Sequence, residues 1–369
     1  MTTKNFTPVL GLTDDAPLTL PKVQAVVRDD ATLDVTVIVP ARNEERRLPE
    51  CLRTLLAQDE EQFRLGRDWE LLLVDDGSTD ETLKLMRAAA RDGVTVLQAP
   101  ALDTKSFTGK SAACWYAAEK AKGRYLVFTD ADTLHEPRDL MHALYEAKKH
   151  EVAMLSYSPK QIVTGLAQRV LMPLVFSELA SVYKLKDVND PEKKTAAANG
   201  QFLMVERDTY FMVGGHKAVG RNVLEDVELA WNVKTSGRGL RFRYAPDAVS
   251  TRMYEGFSDM SEGWTKNLAL LFPHALSLAM WRTLDMLLWL LPLVIVFYPL
   301  VQWQMVAILL VWARTIMRFY GRVRRSNFPW LDVAISPLGL PLFVVLLLRS
   351  WAGHKFFRVV SWKGREYRA

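Results

Sequence analysis

Tyr125-Leu-Val-Phe-Thr-Asp-Ala-Asp-Thr133 is the stretch on which the reading of this chain turns. The apolar run Tyr125–Phe128 has the character of a strand buried on both faces, as in a parallel sheet. It ends in two carboxylates, Asp130 and Asp132, one residue apart. At the carboxyl end of such a strand alternate residues face the crevice in which open α/β sheets bind ligands. Two hard oxygen donors at this spacing can hold a divalent cation that keeps positions open for phosphate oxygens. An isolated Asp-x-Asp is more often a solvated turn, so the surrounding sequence has to carry the reading.

On the amino-terminal side, Val35–Val39 is a first buried strand. Pro40-Ala-Arg-Asn-Glu-Glu45 follows, then an amphipathic helix through Leu48, Cys51, Leu52, Leu55 and Leu56. A second strand, Trp69–Val74, ends in Asp75-Asp76-Gly-Ser-Thr-Asp80, where Ser78 or Thr79 is placed to cap the next helix. Val94–Leu97 is a short third strand, and a helix over 110–122 leads back to the central one. Strand and helix alternate, which predicts a mostly parallel sheet with right-handed crossovers. Beyond Asp132 the pattern gives a helix over 137–150 and a strand over 152–157. An apolar helix over 161–184 reads equally as core or as membrane interface. Then come a strand over 196–205, a short helix, and the turn Gly214-Gly215-His216. A helix from Leu224 carries Glu225 and Asp226 in its first turn, and a strand spans 240–244. Acidic residues at a helix start are partly explained by the helix dipole alone.

The character changes after an amphipathic helix over 261–282. Met286–Ala313 contains no charged residue, a run longer than the ~20 residues a bilayer crossing needs. Pro292, Pro299 and Gln302-Trp-Gln304 divide it into two expected helices, 283–301 and 304–321. A third apolar run, Val333–Leu348, is broken by Pro337, Gly339 and Pro341 and reads as a third crossing or a re-entrant hairpin. The formal charge of +5 is uneven: from Arg314 onward there are 11 Lys or Arg against Asp332 and Glu366. A basic tail beside apolar runs points to anionic lipid headgroups, not nucleic acid. It favours a cytoplasmic carboxyl terminus. Cys51 and Cys114 fit no metal or redox spacing and read as buried thiols. No secretory signal is expected before the first strand. The expected organisation is a lead-in over 1–33, an α/β domain over 34–260, an interface helix over 261–282, membrane helices over 283–352 and a basic tail over 353–369.

Taken together, Val37-Ile-Val-Pro-Ala-Arg-Asn-Glu44, Leu73-Val-Asp-Asp-Gly-Ser-Thr-Asp80, Thr108-Gly-Lys110, Thr129-Asp-Ala-Asp132, Glu225-Asp226 and Trp362-Lys-Gly-Arg365 resemble the membrane-associated branch of glycosyltransferase family 2, over about residues 34–365. The Gly-Gly-His turn, Arg252-Met-Tyr254 and Glu262-Gly-Trp-Thr-Lys-Asn-Leu268 are similar to bacterial enzymes that glycosylate carotenoid acids, and to hopanoid-associated members. The resemblance implies a Rossmann-like GT-A domain with a carboxyl-terminal membrane helical region. It implies inverting transfer of a hexose from a nucleotide sugar, UDP-glucose or another UDP-hexose, to a lipid acceptor in the bilayer. The expected location is the cell membrane, multi-pass, with the catalytic domain cytoplasmic.

Residue by residue, the resemblance implies nucleotide-sugar contacts from Pro40, Arg42, Glu44, Asp75, Asp76, Lys110 and Asp130. Asp76 would read the base, and Glu44 the ribose or the uracil edge. Asp130 and Asp132 would hold Mn(2+) or Mg(2+), Asp132 most directly. Asp226 would be the general base, with Glu225 the runner-up. His216, Trp264 and Lys266 would serve the acceptor or the diphosphate. Glu262-Gly-Trp-Thr-Lys-Asn267 replaces the Gln-x-x-Arg-Trp of processive relatives and argues against a polymerase. Two alternatives stay open: a polyisoprenyl-phosphate or glycerolipid acceptor, and a non-catalytic membrane-bound nucleotide-sugar binding protein.

Overall fold

The structure, a computed structural model, describes residues 33–357, 359–362 and 365–368. All but the last residue of the expected lead-in lies outside them. The described chain forms two compact units, one of residues 33–162 with 185–253, the other of 163–184 with 254 onward. The sequence reading drew domains continuous in the chain. The chain instead leaves the first unit after Ile162, returns at Leu185 and leaves again after Met253.

The first unit is built on a seven-stranded sheet. Its strands are β1 (Val35–Ala41), β2 (Trp69–Asp75), β3 (Val94–Gln98), β4 (Tyr125–Thr129), β6 (Met154–Ser158), β8 (Phe202–Glu206) and β9 (Leu240–Tyr244), in the order β3-β2-β1-β4-β8-β6-β9. β3, β2, β1 and β4 run parallel, as the βαβ alternation requires. β8 runs antiparallel to both β4 and β6. A three-stranded sheet joins β5 (Thr133–His135), β10 (Val249–Thr251) and β7 (Lys160–Gln161). All residues of β2 and β4 are buried, which is why these strands read as unbroken apolar runs.

The helices of this unit are α1 (Leu48–Leu56), α2 (Thr82–Ala89), α3 (Gly109–Ala118) and α4 (Asp139–Lys149), then α6 (Leu185–Asn189), α7 (Arg207–Met212), α8 (Gly215–Ala218) and α9 (Glu225–Thr235); α5 belongs to the other unit. α1 buries Leu48, Cys51, Leu52 and Leu55 in one core cluster with Val37, Leu71 and Val127. Strand order proceeds outward from β1 through β2 to β3, then returns to β4 on the other side of β1. The β1/β4 boundary is therefore a topological switch point, and Pro40–Glu44 and Asp130 emerge from its carboxyl ends.

The second unit is helical. It holds α5 (Leu166–Val182), α10 (Phe257–Leu271), α11 (Ala275–Trp289), α12 (Leu293–Phe297), α13 (Gln302–Val323), α14 (Trp330–Ile335) and α15 (Leu340–Ala352). α5 is a core helix: Val170, Leu171, Leu174 and Val175 are buried. A Cβ on Gly339 would stand 2.3 Å from the Val170 carbonyl oxygen, so the backbones of α5 and the turn before α15 are in direct contact. After α15 the chain forms a hairpin of β11 (Val359–Trp362) and β12 (Arg365–Arg368) within the segment expected only as a tail.

Three expectations for this unit are corrected. The helix expected over 261–282 is two helices, because Pro273 holds Phe272 in an extended conformation and ends α10. The helix expected over 283–301 does not form as one element. α11 ends at Trp289, and its 15 residues span only about 22 Å, short of the ~30 Å hydrocarbon core. Pro292 and Pro299 leave only the five-residue α12 beyond it. Finally, the expected multi-pass topology is not supported by these segments. Among the described residues one helical stretch, Trp330–Phe356, is long and apolar enough to cross a bilayer, with mean hydropathy 2.2, and 44% of its apolar window is covered by packing.

Candidate active site

The loop after β4 is fastened from below. Thr129 and Thr133 each donate a side-chain hydrogen bond to the Gln201 carbonyl, at 2.8 and 3.2 Å. The Thr133 N–H closes a turn on the Asp130 carbonyl. The Gln201 amide donates to Thr251 Oγ1, which donates to the Asp132 carbonyl. His135, at the end of β5, donates from Nδ1 to Asp139 Oδ2 at 2.6 Å, both side chains fully buried. These bonds leave the carboxylates of Asp130 and Asp132 half-buried at the edge of the sheet.

Lys110, in the first turn of α3, closes the charge cluster. Its Nζ lies 2.7 Å from Asp130 Oδ1 and 3.2 Å from Glu225 Oε1. Burial works against its ammonium charge, but the two carboxylates outweigh it and hold the group well above its ordinary range. Thr108 caps α3 by accepting from the Ser111 N–H. Asp226 lies beside this group. Its Oδ2 accepts from the Gly200 N–H at 2.7 Å and its Oδ1 from the Val227 N–H at 2.9 Å. Burial, with the neighbouring Glu225 charge, pushes its carboxyl up to about 6. Sequence reasoning did not single out Gly200. A Cβ there would stand 2.8 Å from Lys110 Nζ and 3.5 Å from Asp226 Oδ2, so only glycine leaves both side chains where they are. The one sequence signal is a glycine inside the strand expected over 196–205, where a close backbone approach is the usual reason for it.

The ends of β1 and β2 meet as expected. Arg42 Nη1 donates to the Asp76 carbonyl, and the Asp76 N–H donates to the Ala41 carbonyl. Asn43 has a positive φ of 53°, a conformation asparagine tolerates, and its side chain accepts from the Thr79 N–H. Asp75 and Asp76 are both buried; Asp75 accepts from the Ser78 N–H and so works as the turn's own brace. Pro40 is half-buried at the last turn of β1. Glu44 lies 3.5 Å from Arg47, within its own turn. The cap expected from Ser78 or Thr79 comes instead from Asp80, whose Oδ1 accepts from the Thr82 N–H.

His216 is not an open acceptor group. Its ring is buried against Phe128, Tyr210 donates to its Nδ1 at 3.0 Å, and the same hydroxyl accepts the His216 N–H. Burial, with Lys110 nearby, pulls it down to about 3, so it is neutral and structural. Trp264 and Lys266 belong to the helical unit. Trp264 is buried edge-on to Phe176 and Tyr254, and the Lys266 carbonyl accepts from His354. Burial pushes both thiols, Cys51 and Cys114, well up, so they are inert.

Residues 36–212 match the profile of glycosyl transferase family 2. The chain carries a family 2 glycosyltransferase domain. The matched residues run from β1 to the end of α7 and include the β1, β2 and β4 ends, Lys110 and the Asp-x-Asp. Glu225 and Asp226 lie just beyond them. The chain is 26% identical over 348 residues to a 4,4'-diaponeurosporenoate glycosyltransferase of Staphylococcus aureus strain USA300, covering 90% of this chain and 88% of that protein. The corresponding protein of strain MRSA252 matches equally well, at 26% over 348 residues. Among solved structures, a mannosyltransferase from Pyrobaculum calidifontis in complex with GDP-Man and Mn2+ superposes with a TM-score of 0.53 at 17% identity, covering 89% of this chain and 90% of that one. The chain therefore has the GT-A fold, a mostly parallel α/β sheet.

Proposed function

We propose that this protein is an inverting, divalent-metal-dependent hexosyltransferase that moves sugar from a UDP-sugar to a lipid held in the membrane. The observation that carries the reading is Asp226, a half-buried carboxylate locked by the Gly200 amide with Lys110 beside it. Its carboxyl is pushed up to about 6 by burial, close to the value that suits a general base at neutral pH. It would take the proton of an acceptor hydroxyl as that oxygen attacks the anomeric carbon from the face opposite the diphosphate. The C–O bond to the diphosphate breaks in the same single displacement, with no covalent sugar intermediate. Where the acceptor is itself a carboxylate, Asp226 has no proton to remove and orients the attacking oxygen. Glu225 holds Lys110 and so sets where its charge lies.

The donor set fits a cation shared with substrate. Asp130 and Asp132 supply hard oxygens, and no group of three or more His, Cys, Asp or Glu that could cage a metal occurs among the described residues. That is the chemistry of Mg(2+) or Mn(2+), held by one or two carboxylates and substrate phosphates. When bound, the ion would offset charge on the departing nucleoside diphosphate. Lys110 adds a second, fixed positive charge to the same side of the reaction. Asp76 and Arg42 at the neighbouring strand ends would receive the base and ribose.

The Staphylococcus aureus relatives are named for a carboxylate acceptor, 4,4'-diaponeurosporenoate, which supports a carotenoid acid or another isoprenoid lipid here. The exposed apolar surface of the helical unit, Met280, Val296, Phe297 and Trp303 among its residues, supports a seat in the cell membrane. The catalytic domain would face the cytoplasm, where nucleotide sugars are made. A polyisoprenyl-phosphate acceptor would need a basic pocket near His216 and Arg221, and the buried, neutral His216 ring would add no charge to one.

The test is transfer of radiolabelled sugar from a panel of UDP-hexoses, in native membranes, to carotenoid-acid, hopanoid, diacylglycerol and polyprenyl-phosphate acceptors. Label should enter one lipid class, vanish with chelator and return with manganese or magnesium. Asp226→Asn should lower transfer to a hydroxyl acceptor by about 10²–10⁴-fold. Label that survives chelation sinks the metal assignment. UDP binding with no transfer to any acceptor would leave a non-catalytic binding protein.

A further inference from the structure

α11 and α13 lie antiparallel. Asp285 meets Arg322, the Trp289 carbonyl accepts from Trp312 Nε1 at 3.3 Å, and the Trp289 ring packs edge-on against Phe319 and Tyr320. Between them the chain turns through Leu290–Val301. We propose that this hairpin enters a single leaflet of the bilayer and does not cross it, with Arg314 and Arg318 as a collar that meets the phosphates of anionic lipids. The proposal rests on the membrane reading above and adds its geometry.

Four observations lead to it. The tip is apolar and uncovered: Val296 and Phe297 are each 74% exposed and Trp303 is 70% exposed. Much of its backbone is paired within the hairpin, as hydrocarbon demands of a segment it surrounds. The N–H groups of Leu290, Leu293, Ile295 and Tyr298 donate to carbonyls three or four residues back, while Pro292 and Pro299 have none to satisfy. Val301, which opens α13, donates to the Gln304 side chain. Depth is the third point. From Gln302 to Ala313 α13 has no charge, and those residues rise about 18 Å. That is close to half of the ~30 Å hydrocarbon core.

The fourth observation is the root. Glu178 of α5 stands 3.2 Å from the Nε of both Arg282 and Arg322, and Asp285 bridges the same two guanidiniums. Two positive and two negative groups close on one another, so the base of the hairpin presents no net charge where it meets the lipid. The next arginines outward, Arg314 and Arg318, are exposed, and their long stems let the heads reach the phosphates. A crossing would instead carry these two charges into the membrane or require a far-side anchor, and no charged residue lies between Asp285 and Arg314.

The experiment uses the full chain in phosphatidylglycerol–phosphatidylcholine vesicles, with a bimane label on Phe297→Cys or on Met317→Cys; the two native thiols are buried. Lipids brominated near the chain end should quench the Phe297→Cys label at least twofold more than lipids brominated near the headgroup, and the Met317→Cys label should show the reverse. Unlabelled Phe297→Cys should resist an impermeant maleimide whether it is added outside or trapped in the lumen. Arg314→Gln with Arg318→Gln should bind anionic vesicles about thirtyfold more weakly, at about 1 kcal/mol for each charge, and neutral vesicles unchanged. Modification by lumenal maleimide means the hairpin crosses, and the proposal falls. Vesicle-bound protein whose Phe297→Cys label no lipid quenches, or a double variant that binds anionic vesicles normally, also overturns it. Protein that fails to float with any vesicles sinks the membrane reading itself, a different result from either.

Discussion

Asp226 titrates where cells live. Its carboxyl is raised to about 6, and only the ionised form takes a proton, so transfer to a hydroxyl acceptor should rise with pH through about 6 and then level off. A rate profile between pH 5 and 8 at saturating donor checks this; a flat profile would remove Asp226 as base. Gly200 offers a second check. Gly200→Ala puts a methyl 2.8 Å from Lys110 Nζ and leaves the sheet intact, so transfer should fall on the order of 10²-fold with the melting temperature nearly unchanged. Residues with chemistry in their side chains were legible from sequence: Lys110, Asp130, Glu225 and Asp226 were each named, and the fold gathers them. Gly200 was not, because its role is the space it leaves for a lysine 90 positions away. His216 was expected to serve the acceptor or the diphosphate, whereas the Tyr210 hydroxyl donates to its ring and accepts its backbone N–H.

At the scale of elements, period and punctuation located nearly every strand and helix of the first unit, since buried parallel strands and amphipathic helices write their burial into the sequence. The antiparallel entry of β8 beside β4 is a pairing choice that no local pattern records. In the helical unit the bounds differ: the prolines expected to divide the long uncharged run also end α11 at Trp289 and leave only the five-residue α12 before α13. Two contacts between elements carry predictions. His135→Ala removes the bond that ties β5 to α4 and strands the buried Asp139 carboxyl, so stability should drop by about 3 kcal/mol in a denaturant titration of the solubilised protein. Gly339→Val drives a side chain into the Val170 carbonyl and should separate the α15 turn from α5, at a cost of about 3 kcal/mol. A melting temperature equal to that of the parent protein would show that the contact is not needed.

Across the whole molecule, the sequence foretold an α/β catalytic domain followed by apolar helices but not that the two interleave along the chain. Helix α5 (Leu166–Val182) leaves from the middle of the α/β unit and packs against elements from α10, which opens at Phe257, to α15, which ends at Ala352. Truncation after Met253 should therefore not yield a soluble catalytic domain. It would keep α5 with Val170, Leu171 and Val175 uncovered, and the measurement is the fraction recovered in the supernatant against the full chain. The interleaving also sets a timetable for synthesis. At about 5–20 residues per second, α5 leaves the ribosome roughly ten to thirty seconds before α15 exists to cover it. During that interval its apolar face must be sheltered by something other than its own chain, a chaperone or the lipid surface. The order of translation thus ties completion of this enzyme to where it is being made.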